Sequence, residues 1–353
     1  MEKDMIVKQI LKKNDVLYKF LKGSVQKIHL CKSKYYGYLY GREMDLLLDK
    51  TIYDEKKKML DEKINSDGRK RTYFIIRRSY KGIGMYTHVC VYLSFIAYAV
   101  SKGYIPVIDM CNYPNIYMKD EDIGKRNAWE LFFKQPVGIG LDDLGSGKII
   151  YSSPVFLPNR TPFITSLLND KKEFALYARV YQDFIQYNKN VKEYTDEELK
   201  IIENKKVLGV LYRGTDYTKG KPKGHPIQPT LQQVLAKAEE IMDRFDCEYI
   251  YLATDERNAE DEFEHSFPKH ILTNKRKYYD MDGMDYSNHY ISEVSFDREN
   301  DEFLKGLEYI SSINILSKCK CFLGGGCAGT YAAVIMNNFK FEYTHIFDLG
   351  FYE

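Results

Sequence analysis

Residues 213–216 carry the side chains best suited to binding a phosphate group. Arg213 directly follows an apolar run, residues 206–212, that reads as a buried strand, and Asp216 lies three residues on. An arginine guanidinium donates paired hydrogen bonds to phosphate oxygens and stabilises charge that develops on a departing diphosphate. An ion pair between Arg213 and Asp216 with a purely structural role is the alternative.

Asp255 ends a second apolar run, residues 248–253, in the same way. In open parallel sheets, ligands bind at the carboxyl ends of the strands. A carboxylate at that position suits binding of a nucleotide base or ribose.

Two glycine turns follow predicted strands. Residues 324–329 show the spacing G-x-G-x-x-G, and the bare amides of such a turn attract phosphate at a helix N-terminus. A purely structural turn is the alternative, and NAD or FAD binding is disfavoured because too few residues follow for further βαβ units. Gly82 and Gly84 form a shorter turn that lacks a third glycine, since Thr87 stands there; it is typical of a tight turn beside a cleft.

Metal-ligand patterns in the sequence are weak. Asp280 and Asp282 form a D-x-D pair, for which a solvated acidic loop is the favoured interpretation over divalent-metal binding. Cys319 and Cys321 have no further zinc ligands at suitable spacing. We therefore expect no metal site and no bound cofactor.

The elements that must position these residues fall into two α/β halves. In the first half, a strand (72–77), an apolar helix (87–101) and a strand (104–109) flank the short glycine turn. The second half repeats strand and helix, with predicted strands at 206–212, 248–253, 270–273, 320–323 and 344–347, and predicted helices at 231–245, 257–266, 301–317 and 330–337. Two such halves facing a cleft predict ligand binding between them.

Composition excludes several classes of protein. The 353 residues are 44% hydrophobic, which excludes global disorder, and the net charge of +2 is too balanced for a dedicated nucleic-acid binder. The first residues lack a secretory h-region, no apolar run reaches membrane-spanning length, and seven scattered cysteines suit a reducing compartment. These features predict a cytoplasmic protein. The basic N-terminal helix either contacts anionic lipid or presents a solvated face.

Three segments together resemble the inverting fucosyltransferases of the α1,6 type, a group that includes the bacterial nodulation fucosyltransferase; the wider superfamily includes the protein O-fucosyltransferases. The segments are residues 209–217 followed by 225–227, residues 249–256, and residues 315–336. They cover about 130 residues of the carboxyl half. The glycine turn at 82–84 with the helix and strand after it resembles the amino half of related enzymes.

This resemblance implies a two-domain GT-B fold, with residues 1–195 on the acceptor side and residues 196–353 binding GDP-fucose without a metal. Arg213 would bind the donor diphosphate, Asp216 would position the site, and Asp255 would match the aspartate of the second motif. The third motif lies against the nucleotide sugar. The donor-binding residues would be Arg213, Asp255, Gly82, Gly84, Gly326, Cys327, Ala328, Gly329 and Thr330.

The sequence departs from the family at three positions. Lys221 stands where α1,6 enzymes carry a glutamate proposed as the general base, and a lysine ammonium is a poor base. The serine-rich third motif of the family is replaced here by glycine, cysteine and alanine, which leaves Thr330 as the nearby hydroxyl, and Met85 stands where an asparagine is usual. His225 is a replacement base, with a packing role as the alternative.

We therefore predict an inverting, metal-independent glycosyltransferase that moves fucose from GDP-fucose to a hydroxyl of a glycan or glycoconjugate acceptor. The implied setting is bacterial surface-polysaccharide assembly at the cytoplasmic face of the membrane. A transferase using another GDP-sugar and a non-catalytic nucleotide or glycan binder stay open, and a dehydrogenase is the outlying alternative. No nucleic-acid partner is expected.

Overall fold

The computed structural model describes residues 15–66, 71–158, 161, 170–278 and 294–353, and of residues 15–26, Thr215, Asp216 and Lys219 it describes the backbone alone. Two parallel sheets organise this part of the chain. The helices are Asp15–Asp45 (α1), Lys50–Ile64 (α2), Met85–Lys102 (α3), Lys171–Phe184 (α4), Lys189–Leu199 (α5), Thr215–Gly220 (α6), Leu231–Phe245 (α7), Arg257–Ser266 (α8), Asp301–Leu316 (α9) and Ala328–Asn337 (α10).

The first sheet belongs to the amino half and has the strand order β2-β1-β3, all parallel. Its strands are Thr72–Arg77 (β1), Ile105–Asp109 (β2) and Lys148–Tyr151 (β3). The central strand β1 is buried along its middle, as its apolar sequence requires, whereas the edge strand β3 is mostly exposed. The strands predicted for the first half include β1 and β2 but not β3.

The second sheet belongs to the carboxyl half and has the order β6-β5-β4-β7-β8, all parallel. Its strands are Val207–Leu211 (β4), Tyr249–Ala253 (β5), Ile271–Leu272 (β6), Cys321–Gly325 (β7) and Tyr343–Phe347 (β8). The chain order reverses between β4 and β7, which is the arrangement of a Rossmann-like sheet. Such a reversal opens a crevice at the carboxyl ends of the two strands. The predicted α/β fold with two parallel sheets is confirmed.

Helix α3 connects the cores of the two halves. It is apolar around its whole circumference and is buried over nearly its full length, as expected for a helix with packing partners on every side. It contacts β1 and β2 on one side and α1, α4, α9 and α10 on the others. Gly103 ends it in the left-handed conformation (φ 63°), where glycine has no steric penalty. One hydrophobic core therefore runs from the first sheet to the near face of the second.

The helix α5 spans the predicted domain boundary at 195/196 and packs against α9 of the carboxyl half. The boundary itself remains a prediction. No helix within the described part of the chain combines the length and the apolar character needed to cross a membrane.

Candidate active site

Arg213 stands at the junction of three adjoining cavities at the carboxyl end of β4. The cavities have volumes of about 260, 60 and 20 Å³, and Arg213 and Tyr309 line all three. The Arg213 guanidinium lies 4.7 Å from the centre of the Tyr217 ring, a cation–π contact that helps to orient the side chain. This position is the crevice where the strand order reverses.

The largest of these three cavities lies between the two halves of the protein. Its amino-half wall includes both glycines of the predicted turn, Gly82 and Gly84. Its carboxyl-half wall includes Arg213, His225, Cys327 and Ala328. The structure therefore brings six of the residues singled out in the sequence into one cavity, although they lie far apart along the chain.

The N-terminus of α10 borders the same cavity through Cys327 and Ala328. Cys327 is the N-cap residue, and its side chain makes no capping hydrogen bond to the amides of the first turn. The first-turn amides of a helix have no intrahelical acceptor and, with the helix dipole, attract anions. Arg213 and this helix end together suit a phosphate group.

The glycine turn of the third motif is shorter than the sequence predicted. Gly324 and Gly325 belong to β7 and Gly329 to α10, so the turn comprises only Gly326 and Cys327. The glycines here permit close packing: a Cβ on Gly329 would lie 2.9 Å from the Tyr309 hydroxyl. The predicted six-residue glycine loop is therefore too long. The glycines at its two ends belong to the strand and to the helix, where close packing against neighbouring side chains leaves no room for a Cβ.

The three other predicted donor ligands of this motif lie away from the cavities around Arg213. Thr330 is fully buried, and its hydroxyl donates a 2.6 Å hydrogen bond to the Gly325 carbonyl. Gly329 is buried against Tyr309. Gly326 borders a separate cavity of about 350 Å³, and its carbonyl accepts a hydrogen bond from Gln228 at 2.9 Å. These positions support the turn.

Asp255 lines the two smaller cavities, together with Arg276, to which it is ion-paired. The Arg276 side chain is almost fully buried and also contacts the Ser312 hydroxyl at 3.4 Å. Arg276 comes from a loop after β6 and has no motif that could have revealed it. The role of Asp255 in donor binding stays a prediction.

His225 reaches the largest of the three cavities from the loop after α6. Its Nδ1 lies 3.2 Å from the Tyr217 hydroxyl, and the two rings meet edge to face. Backbone hydrogen bonds with Tyr352 hold this loop in place. Lys221, in contrast, is an exposed C-cap residue of α6 with a left-handed backbone (φ 42°) and lines none of the three cavities.

The Asp216 side chain and the pair Asp280 and Asp282 lie outside the described residues. Within the described ranges, no group of three or more histidine, cysteine, aspartate or glutamate side chains is arranged to hold a metal ion.

Arg78 is a cavity residue that no sequence motif indicated. It follows β1 as Arg213 follows β4, and it lines the 260 Å³ cavity from the amino half. Burial lowers the pKa of Arg78. Behind it, His88 is fully buried with its Nδ1 3.2 Å from the Tyr92 hydroxyl, and burial, helped by the nearby Arg78 charge, lowers the His88 pKa to about 3. An arginine directly after a buried strand was the signal available.

Comparison with known proteins finds a likeness at the level of solved structures. No protein-family model matches the chain, and no curated protein matches it by sequence. Similar solved structures include NodZ α-1,6-fucosyltransferase soaked with GDP-fucose (13% identity, 75% of this chain and 93% of that chain, TM-score 0.46). They also include fucosyltransferase NodZ from Bradyrhizobium, which is 13% identical over 74% of this chain and 92% of that chain, with a TM-score of 0.44. A third is POFUT1 in complex with GDP, which is 9% identical over 80% of this chain and 99% of that chain, with a TM-score of 0.49.

Proposed function

We propose that the protein is an inverting glycosyltransferase that transfers fucose from GDP-fucose to a hydroxyl group of a glycan or glycoconjugate acceptor. One observation carries this proposal: Arg213 and the N-terminus of α10 border the same cavity at the strand-order reversal of the second sheet. This is where doubly wound sheets bind nucleotides. The sequence motifs resembling those of fucosyltransferases surround that point.

The diphosphate of the donor is proposed to lie between the Arg213 guanidinium and the backbone amides of Cys327 and Ala328 at the N-terminus of α10. When the bond between the sugar C1 and the diphosphate oxygen breaks, its electron pair goes to the diphosphate. Arg213 and the amides stabilise the charge that develops there, which is the large electrostatic term in many enzyme mechanisms. The acceptor oxygen attacks C1 from the opposite face, so the configuration at C1 inverts.

The proton of the acceptor hydroxyl requires a destination, and His225 is the base we propose. When its Nδ1–H donates to the Tyr217 oxygen at 3.2 Å, Nε2 remains as the proton acceptor. Lys221 occupies the sequence position of the family glutamate, but it lies at the exposed end of α6. The loop therefore provides a different base from a position four residues further along the chain.

The nucleoside is proposed to extend from Arg213 toward Asp255 and Arg276 in the smaller cavities. Residues 196–353 would then form the donor domain and residues 1–195 the acceptor side. Asp216 keeps its proposed positioning role. We propose that the reaction requires no metal and no cofactor. The proposed setting is the assembly of surface glycans in the cytoplasm, with the basic N-terminal helix near a lipid-linked acceptor.

Calorimetric titration of the wild type with GDP, GDP-fucose, GDP-mannose, UDP and NAD, with and without EDTA, tests the proposal. We expect guanine nucleotides alone to bind, unaffected by EDTA. Arg213→Ala should weaken GDP binding by about 2 kcal/mol or more, the value of hydrogen bonds to a charged group. The matched control Arg244→Ala removes an exposed arginine on α7 that lines none of the three cavities and should bind GDP as the wild type does.

The same titration separates the alternatives. Tighter binding of GDP-mannose than of GDP-fucose assigns a different GDP-sugar as the donor, and NAD binding assigns a dehydrogenase. A non-catalytic binder would hold GDP-fucose without hydrolysing it over hours, whereas glycosyltransferases release some sugar to water. Equal GDP affinity in wild type and Arg213→Ala would contradict the proposed site.

A further inference from the structure

We propose that Arg78 is a second anion-binding residue of the site and that it binds a phosphate or carboxylate group of the acceptor. This inference rests on the proposed function, because it places the donor diphosphate at Arg213. It adds the chemical class of the acceptor: a glycan or glycoconjugate that carries an oxyanion near the hydroxyl to be fucosylated.

The surroundings of Arg78 within the described part of the chain provide no counter-ion. Its Nη1 is buried without a hydrogen-bond partner there, and the charge influences on it come from Tyr92 and Tyr80, with no described carboxylate among them. The neighbouring Arg77 has partners for part of its guanidinium: Nη2 donates to the Ser152 carbonyl at 2.8 Å and the group lies 4.4 Å from the Tyr151 ring centre, while its Nε is also buried without a hydrogen-bond partner. A partly buried charge without a partner is costly, so its retention indicates a ligand.

The cavity in front of Arg78 favours an anion. Among the described residues that line it, two are arginines, Arg78 and Arg213, and none is acidic. Behind Arg78, the fully buried His88 and the Tyr92 hydroxyl are neutral groups that leave the guanidinium charge uncompensated. A guanidinium fork matches the geometry of phosphate and carboxylate oxygens, which an ammonium group does not.

The position of Arg78 separates it from the donor nucleotide. Arg213 lines all three cavities and Asp255 lines the two smaller ones, so these residues trace the proposed course of GDP. Of the three cavities around Arg213, Arg78 lines the 260 Å³ cavity and neither of the two smaller ones, and it lies on the amino-half wall with Tyr80 and Thr87. A group bound at Arg78 lies across the cavity from the carboxyl-half wall, where the diphosphate is proposed to bind. An acceptor must enter on this opposite side in order to attack the far face of the sugar.

The test is anion binding to the full chain saturated with GDP, measured by calorimetry. The probes are inorganic phosphate and glucuronate, titrated separately to distinguish phosphate from carboxylate chemistry. The variants are Arg78→Met, which keeps the length of the side chain without its charge, and Arg78→Lys, which keeps the charge without the fork. Lys81→Met is the matched control, because Lys81 is an exposed cation in the same loop that pairs with Asp120 and lines none of the three cavities.

We expect the GDP-saturated wild type and Lys81→Met to bind at least one of the two anions at a single site. Arg78→Met should bind this anion at least tenfold more weakly than the wild type does, and the anion affinity of Arg78→Lys should lie between those two. The GDP affinity of both variants should stay within twofold of the wild-type value. Unchanged thermal unfolding of Arg78→Lys shows that its weaker binding does not come from misfolding.

Three results would overturn the proposal. The first is that the wild type saturated with GDP binds neither anion. The second is that Arg78→Met binds the anion as tightly as the wild type does. The third is that Arg78→Met loses tenfold or more in GDP affinity, which would assign Arg78 to the donor site. A failure of the proposed function would give a different result, because the wild type would then not bind GDP at all. In that case the assignment of Arg78 to the acceptor would also be wrong.

Discussion

The carboxylate of Glu256 occupies the space that a side chain on residue 214 would need. A Cβ built on Gly214 would overlap all three carboxyl atoms of Glu256, which is itself buried. Gly214 directly follows Arg213, and Glu256 directly follows Asp255. The missing side chain therefore allows the Glu256 carboxylate, next to Asp255, to pack against the backbone next to Arg213.

Gly214→Ala should disturb this junction. We expect a loss of about 1–3 kcal/mol in the free energy of unfolding, the usual cost of overpacking, together with weaker GDP binding because Arg213 is displaced. Denaturant unfolding and calorimetry measure the two effects. The double variant Gly214→Ala/Glu256→Ala, which restores space, should lose less than the sum of the single variants; strict additivity would show that the two residues do not compete for space.

His225→Gln should reduce donor hydrolysis at saturating GDP-fucose by about a hundredfold, the lower range for general-base catalysis, with little change in the donor KM. A control variant is His265→Gln, which removes an exposed histidine of α8. A raised KM with unchanged kcat would instead show that His225 packs the loop or contacts the donor.

Thr330→Val separates support of the turn from contact with the donor. The variant loses the buried hydrogen bond to the Gly325 carbonyl, so the free energy of unfolding should fall by about 1–2 kcal/mol. GDP affinity should remain within twofold, because Thr330 lines none of the cavities at Arg213. A tenfold loss of GDP affinity with unchanged stability would place Thr330 at the donor after all.

His88 should make the protein less stable in acid. Its folded pKa of about 3 lies below the ordinary 6.5, so below pH 6.5 the unfolded chain binds a proton that the folded chain does not. Stability is therefore lost as the pH falls from 6.5 toward 3, by at most about 1.4 kcal/mol per pH unit from this group. Denaturant unfolding at pH 7, 5.5 and 4.5 should show a shallower loss for His88→Gln than for the wild type and His265→Gln. Equal slopes would contradict the neutral assignment.

Arg78→Met should unfold at higher denaturant concentration than the wild type when no ligand is present. Removing a buried guanidinium nitrogen that lacks a partner in the described structure should stabilise the free protein by roughly 1–3 kcal/mol. The advantage should shrink when the anion that Arg78 binds is added, because that anion stabilises only the wild type. A variant less stable than the wild type would show that Arg78 contributes through packing of its stem.

The sequence by itself determined most of the elements. Helices Arg257–Ser266 and Leu231–Phe245 have the predicted bounds, and the second begins where the Thr230 hydroxyl accepts a hydrogen bond from the Gln233 amide. Strand Thr72–Arg77 also matches. These features depend on apolar periodicity and on capping groups within a few residues, both of which are local and therefore visible in one sequence.

Only the tertiary structure decided which residues share the site. Arg78, Arg276 and Tyr309 come from separate loops and helices without a recognisable motif, and they reach the cavity because the order of the strands brings those segments to one edge. The hydroxyl of Thr330, a predicted donor-binding residue, donates a hydrogen bond to the backbone of the turn, and its role at the donor stays a prediction. Such contacts join residues distant in the chain, and their energies depend on packing and charge burial that exist only after the fold has formed.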